Sequence, residues 1–154
     1  YANKLNLFLY QIILQRKDVL DMIINNSPII LASKSPRRRR LLENAGIKFS
    51  IIPSCVQESD FLLLKPVHYV RTLAEAKAMD IAGKNPESWI IGADSIVLIN
   101  ESILEKPEST SDARQMIQQL SGRAHVVLTG YSIISKSNSY IFTDVVKTEL
   151  FLKN

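Results

Sequence analysis

Short apolar runs bounded by Ser, Pro, Gly and charged clusters alternate along this chain with stretches whose apolar positions recur every three to four residues, and that alternation predicts strands and helices in turn. Residues 29–33 form the first apolar run, of the kind a buried strand makes. Ser35 and Pro36 then read as N-cap and first helical residue, and Gly46 closes the helix. FSIIPS (49–54) predicts a second strand, followed by the irregular CVQESDFLLLK (55–65). A helix opens at Pro66 and runs to about Gly83, with Val67, Val70, Ala74, Ala78 and Ile81 as its apolar stripe. SWIIGADSIVLI (88–99) is rich in β-formers. EKPESTSDARQMIQQLSG (105–122) reads as a loop and then a helix capped by Thr110 or Ser111, with Ala113, Met116, Ile117 and Leu120 on its apolar face and Gly122 at its end. HVVLTGYSII (125–134) and YIFTDVVKTELFL (140–152) are strand-like and joined by the polar SKSNS. Strands and helices alternate first and a strand pair closes the chain, which argues for an α/β fold with a mixed sheet.

With 154 residues, 46% of them hydrophobic, and no repeat or long linker, one domain with a real core is expected. We place it at 28–154, behind an amphipathic extension at 1–27. In that extension NLFLYQIIL is shorter than the ~20 apolar residues a bilayer requires, and Arg16, Lys17 and Asp18 follow it directly. The competing reading, a signal-peptide core, lacks an evident small-residue cleavage site. No membrane partner is therefore expected. Cys55, the single cysteine, permits no internal disulfide and fits a reducing, cytoplasmic compartment, and His68 and His125 are too far apart for a familiar zinc-ligand spacing. The formal charge of +4 favours a phosphate-bearing ligand without requiring one.

In the first helix Arg38 falls on one face with Leu41, Leu42 and Ala45, whereas Arg39, Arg40 and Glu43 point elsewhere. An arginine on the inward face of a first turn needs an anion, and the free N–H groups of the helix start add partial positive charge there. Arg37 and Arg38 thus read as phosphate ligands; a wholly solvated run or a localisation signal is the alternative. Lys77 lies at the edge of the second helix's stripe, either snorkelling to water or functional. Asp94 is sharper: a carboxylate between WIIGA and SIVLI is costly to bury without a cation or hydrogen bonds, and is either a metal ligand or proton acceptor or a structural group bonded to a turn after Gly92. Glu58 and Lys106 are ordinary surface residues taken singly. Together with Arg37, Arg38, Lys77 and Asp94 they form the set that metal-assisted phosphate chemistry uses. Neither a P-loop nor a GxGxxG turn is present. The PRRRR run lacks the interleaved aromatics and wider basic stripe of a nucleic-acid surface, so no nucleic-acid partner is expected.

The segments LASKSPRRRRLLENAGIKF, PSCVQES, YVRTLAEAKA, IIGADSIVL, ILEKP, DARQMIQQLSGRAHVVLTG and TDVVKTELF resemble, in order and spacing, the Maf family of nucleoside triphosphate pyrophosphatases, related in fold to inosine triphosphate pyrophosphatase. The resemblance runs from about Ile29 to Leu152. It implies a mixed, twisted sheet with flanking helices and a deep cleft that takes a nucleoside triphosphate and a divalent cation, Mg2+ or Mn2+. Hydrolysis between the α and β phosphates would release a monophosphate and pyrophosphate. Carried over residue by residue, Asp94 is the proton acceptor and a metal ligand, Glu58 a second acidic ligand, and Arg38, Lys77 and Lys106 phosphate contacts. Ser33 and Ser35 line the first loop, and Arg37 and Ser95 stand at positions tied to base choice, pointing to the branch that acts on dTTP and UTP. Gln57 replaces an acid usual before Glu58, and Ala76 a glutamate usual before Lys77. Members of the family continue for a few dozen residues past the last strand read here, so the resemblance also implies a domain incomplete at its C-terminal side, with one cleft wall and a homodimer surface carried by those additional residues. A catalytically inactive relative that binds nucleotides or a partner is the alternative of a different class.

Overall fold

The computed structural model describes residues 27–61, 64–100, 102–104, 107 and 109–152; all but the last residue of the extension read at 1–27 lies outside them. Strand β1 (Ile29–Leu31) leads into helix α1 (Pro36–Asn44), the short β2 (Ser50–Ile51), a 3-10 turn (Glu58–Phe61) and the long helix α2 (Pro66–Lys84). Strand β3 (Trp89–Ile99), β4 (Ser102–Leu104), helix α3 (Thr110–Leu120), β5 (Ala124–Ser135) and β6 (Tyr140–Phe151) complete the order. The sheet runs β2-β1-β3-β5-β6, parallel on the β1 side and antiparallel from β3 onward, with β4 folded back on the far end of β3. This is the mixed α/β architecture expected from the pattern. Among the described residues no helix is long and apolar enough to cross a membrane.

The helix ends follow their local chemistry. Gly46 adopts φ +71 and ends α1 with two bonds, Gly46 N–H to the Glu43 carbonyl and Ile47 N–H to the Leu42 carbonyl, the pairing that satisfies carbonyls left open at a helix terminus. Ser109 caps α3 by accepting from the Asp112 N–H at 3.1 Å. That corrects the expectation of Thr110 or Ser111: the extended backbone a cap requires falls one residue earlier.

Three further expectations are corrected. The apolar stripe of α2 is centred on Tyr69, Val70, Leu73, Ala74, Lys77, Ala78, Ile81 and Ala82, whereas Val67, in the first turn, is 49% exposed. β2 is only two residues long because it pairs with β1 on one side alone and its side chains face water. In α3 none of Ala113, Met116, Ile117 and Leu120 is buried, and Ile117 is 60% exposed. β4 is an additional element, reached through Asn100 at φ +48, a left-handed conformation that Asn tolerates better than most residues.

Helix α2 packs across β3 and β5. One core layer joins Ala78, Ile81 and Ala82 to Ile30, Ile90 and Ile134; a second joins Tyr69, Val70 and Leu73 to Leu128. Ile29, Trp89 and Ile133 pack together in a third cluster with Ile47, Phe49 and Tyr140. The helix comes unusually near the sheet at two glycines. A Cβ on Gly92 would strike the Ala74 carbonyl oxygen, and one on Gly130 the Val70 carbonyl oxygen.

This arrangement leaves a break in the sheet. β1 pairs with β3 only from Ile29↔Trp89 to Leu31↔Ile91, the Ala32 N–H adds one last bond to the Ile91 carbonyl at 2.8 Å, and the chain then turns away into α1. β4 takes up the same edge only at Val97. Among the described residues, Gly92–Ile96 therefore meet neither strand on that side, at the carboxyl end of a parallel strand where α/β sheets place their ligands.

Candidate active site

Asp94 lies within this break and is only 5% exposed. Strand alternation turns it toward α2, where Lys77 Nζ donates to Asp94 Oδ1 at 2.8 Å and to Glu58 Oε1 at 3.0 Å. Lys77 reaches this position because it belongs to the centre of the buried stripe, correcting the edge placement drawn from periodicity, and because Gly92 and Gly130 admit the helix so closely. Glu58 arrives from the 3-10 turn with its side chain 40% exposed. The burial of a charge among apolar strand residues is thus compensated by a cation. Asp94 sits inside a continuous strand, which removes the alternative of a carboxylate bonded to a turn after Gly92.

Ser95, the next residue, turns to the opposite face. There Arg38 Nη2 donates to Ser95 Oγ at 3.3 Å and Arg38 Nη1 to Ser33 Oγ at 3.0 Å. Ser33 Oγ also accepts the Ser35 N–H at 3.2 Å, so one buried hydroxyl winds the loop that opens α1 and seats its first inward arginine. Thr129, opposite Ser95 in β5, closes the chain of hydroxyls at 3.0 Å. Burial pulls the Arg38 guanidinium below its usual value; Asp94 and Glu58 oppose that shift while Arg37 adds to it. Arginine starts so high that it remains charged. The same interactions place Arg38 within electrostatic reach of both acids, so the two faces of the break share one field.

Of the residues singled out in the sequence, Ser33, Arg38, Glu58, Lys77, Asp94 and Ser95 converge. Ser35 is half-buried and contributes its backbone N–H; Arg37 is exposed, near enough to influence Arg38. Lys106 lies outside the described residues. Arg39 pairs with Glu43 in water at 2.7 Å and Arg40 is exposed, as their helical positions implied; Ala45, assigned to the inward face, is the exposed C-cap. Thr129 was missed. Its sequence signal is a hydroxyl among several polar positions of β5, Ser132 and Ser135 included, and it acquires meaning only through the β3/β5 register.

The donor chemistry suits a hard divalent ion. Two carboxylates gripping one ammonium mark a locus where positive charge is stabilised, and Mg2+ typically takes one or two protein carboxylates while water and phosphate oxygens fill its remaining positions. Among the described residues no group of three His, Cys, Asp or Glu converges on a metal position, so the phosphates would have to complete the set.

Residues 28–154 match the Maf family, described as Maf-like protein. A dTTP/UTP pyrophosphatase of Citrifermentans bemidjiense is 40% identical over 130 residues, covering 84% of this chain and 67% of that protein. A dTTP/UTP pyrophosphatase of Geotalea uraniireducens is 41% identical over 133 residues, covering 86% and 69%. A solved HAM1 protein from Coxiella burnetii superposes with a TM-score of 0.48 at 16% identity, over 80% of this chain and 73% of that one.

Proposed function

Because this chain belongs to the Maf family and gathers two acids, a buried lysine and a half-buried arginine at one break in its sheet, we propose that it is a nucleoside triphosphate pyrophosphatase that hydrolyses dTTP and UTP to the monophosphate and pyrophosphate. The observation that carries this reading is the placement of Lys77 Nζ between Asp94 Oδ1 and Glu58 Oε1, with Arg38 held on the other side of the same strand.

In this reading the triphosphate lies against the start of α1. Its oxyanions are met by Arg38, Arg37, Lys77 and the free N–H groups of the first turn, with Lys106 added by resemblance. Ser33 and Ser95 fix the Arg38 fork, so the guanidinium is oriented before the substrate arrives. Ser35 lines the same loop, and Arg37 and Ser95 bear on base choice. A divalent cation, Mg2+ or Mn2+, held by Asp94 and Glu58, would when bound neutralise phosphate charge. Phosphate oxygens compete for Lys77, and as they draw it away Asp94 becomes free to take the proton of the attacking water. The water oxygen bonds to the α phosphorus while the bond from that phosphorus to the bridging oxygen breaks, and pyrophosphate leaves with the electron pair. A cytoplasmic setting belongs to the same reading, since Cys55 has no second cysteine to pair with, and so does a homodimer, which sedimentation would test.

The test is release of monophosphate and pyrophosphate from dTTP and UTP with Mg2+ or Mn2+. Asp94→Asn should reduce turnover at least about 100-fold, the scale of a lost general base, while nucleotide still raises the melting temperature. Wild-type rates in Asp94→Asn would overturn the assignment, and nucleotide-induced stabilisation of the wild-type chain without any product would make it a binding protein.

A further inference from the structure

Glu58 is delivered by a segment with little regular structure. Residues 52–57 form neither helix nor strand. One end is held by the Ile52 N–H donating to the Leu31 carbonyl at 3.2 Å, and further along Val56 and Phe61 pack on the Tyr69, Val70, Leu73 and Leu128 cluster. Apolar contacts of this kind are non-directional: they set how deep the segment lies but resist sliding along the helix poorly. A directional tie to α2 comes midway. The Cys55 N–H donates to Asp80 Oδ2 at 2.9 Å, and the other oxygen of Asp80 accepts from Lys84 Nζ at 2.8 Å. Asp80 follows Lys77 by three positions, so the two are neighbours on α2. One helix thus grips the segment twice within a turn, by the Cys55 backbone and by the Glu58 side chain.

We propose that Asp80 is a positioning residue: its carboxylate fixes the register of the 52–58 segment along α2 and so holds Glu58 in place beside Lys77 and Asp94. The inference rests on the reading of Glu58 as a member of the cation site. A backbone N–H to a carboxylate is a charge-assisted bond, stronger than a neutral one. Lys84, at i+4, keeps the Asp80 side chain turned toward the segment.

The experiment uses the whole chain and two variants. Asp80→Ala removes the acceptor, whereas Asp80→Asn removes the charge but leaves an amide oxygen to accept from Cys55. Two quantities are read: amide hydrogen exchange at Cys55, and the Mg2+ concentration for half-maximal pyrophosphate release. In Asp80→Ala, exchange at Cys55 should quicken and the Mg2+ requirement rise about 10-fold, the effect of roughly 1.4 kcal/mol, with a smaller change in kcat. Asp80→Asn should stay within about 3-fold of wild type on both counts. Should Asp80→Ala fail to fold, Asp80→Ser, too short to reach Cys55, carries the same expectation. Unchanged exchange and Mg2+ dependence in the folded Ala or Ser variant would overturn the proposal, as would an Asn variant as impaired as Ala. If the wild-type chain releases no pyrophosphate, the proposed function fails, while the exchange comparison still decides whether Asp80 holds the segment.

Discussion

Lys77→Met isolates the electrostatic role of the central lysine. Methionine keeps an unbranched, largely apolar side chain among Leu73, Ala74, Ala78 and Ile81, so the change in packing is small. What disappears is the ammonium 2.8 Å from Asp94 Oδ1 and 3.0 Å from Glu58 Oε1. Removing one partner of a buried ion pair costs about 3–5 kcal/mol, because the other is left charged in a poorly solvating place. Two features soften the loss. The Glu58 side chain is exposed enough to be hydrated, and the Arg38 charge lies near enough to Asp94 to compensate in part. The expected cost is therefore about 2–3 kcal/mol, which for a chain of 154 residues lowers Tm by about 4–12 °C. In the double variant Lys77→Met/Asp94→Asn no uncompensated charge remains on the strand, so it should be less damaged than the two single costs added together, with a coupling of about 1–2 kcal/mol. Urea unfolding of the four chains, followed by circular dichroism, measures every term. Strict additivity, or a Lys77→Met variant as stable as the wild type, would refute the view that Lys77 is what makes a buried Asp94 tolerable.

Gly130→Ala places a methyl group against the Val70 backbone, which cannot yield as a flexible side chain would; a loss of about 3 kcal/mol or more, or failure to fold, is expected in thermal melts. Arg38→Lys keeps the charge but loses the fork that spans Ser33 and Ser95, and kcat/KM for dTTP should fall about 10-fold or more in a steady-state assay. The Asp80–Lys84 pair has a defined pH window. Asp80 is held below the ordinary carboxylate value, chiefly by Lys84 and next by the Cys55 N–H, so its stabilisation is complete above that value and fades as pH falls through the lowered one. Lys84 is raised, chiefly by its bond to Asp80, so its share is complete below the ordinary lysine value and is lost as pH rises through the raised one. The Tm difference between wild type and Asp80→Asn should accordingly stay flat from pH 5 to about 9 and shrink at the acid end.

Much of this architecture was legible because buried strands and capped helices leave local marks. Asp94 announced itself as an ionisable group in an apolar strand, and Arg38 as a basic residue on the leucine face of a helix. Periodicity puts Lys77 at an edge because it counts Val67 in the stripe, whereas Val67 lies in the first turn and faces water. β4 leaves no mark of its own, since its three residues pair only with the end of β3. The partners of the site were the least legible part. That Lys77 joins Asp94 to Glu58, that Ser95 meets Thr129 and that Asp80 holds Cys55 are relations across distant segments, and nothing in the spacing of either member encodes the other. The resemblance supplied Glu58 where periodicity had no argument for it, and neither route found Thr129 or Asp80.

The break along β3 has a mechanical consequence. Ser33 and Arg38 are carried by the turn after β1 and by α1, whereas Lys77 and Asp94 are built into α2 and β3, and the β1 to β3 pairing stops before Asp94 is reached. The guanidinium and the carboxylates are thus held by different elements, and an anion that meets both ties those elements together. A bound ligand then acts as a fastener between them, and its concentration sets how much it adds to the stability of the fold.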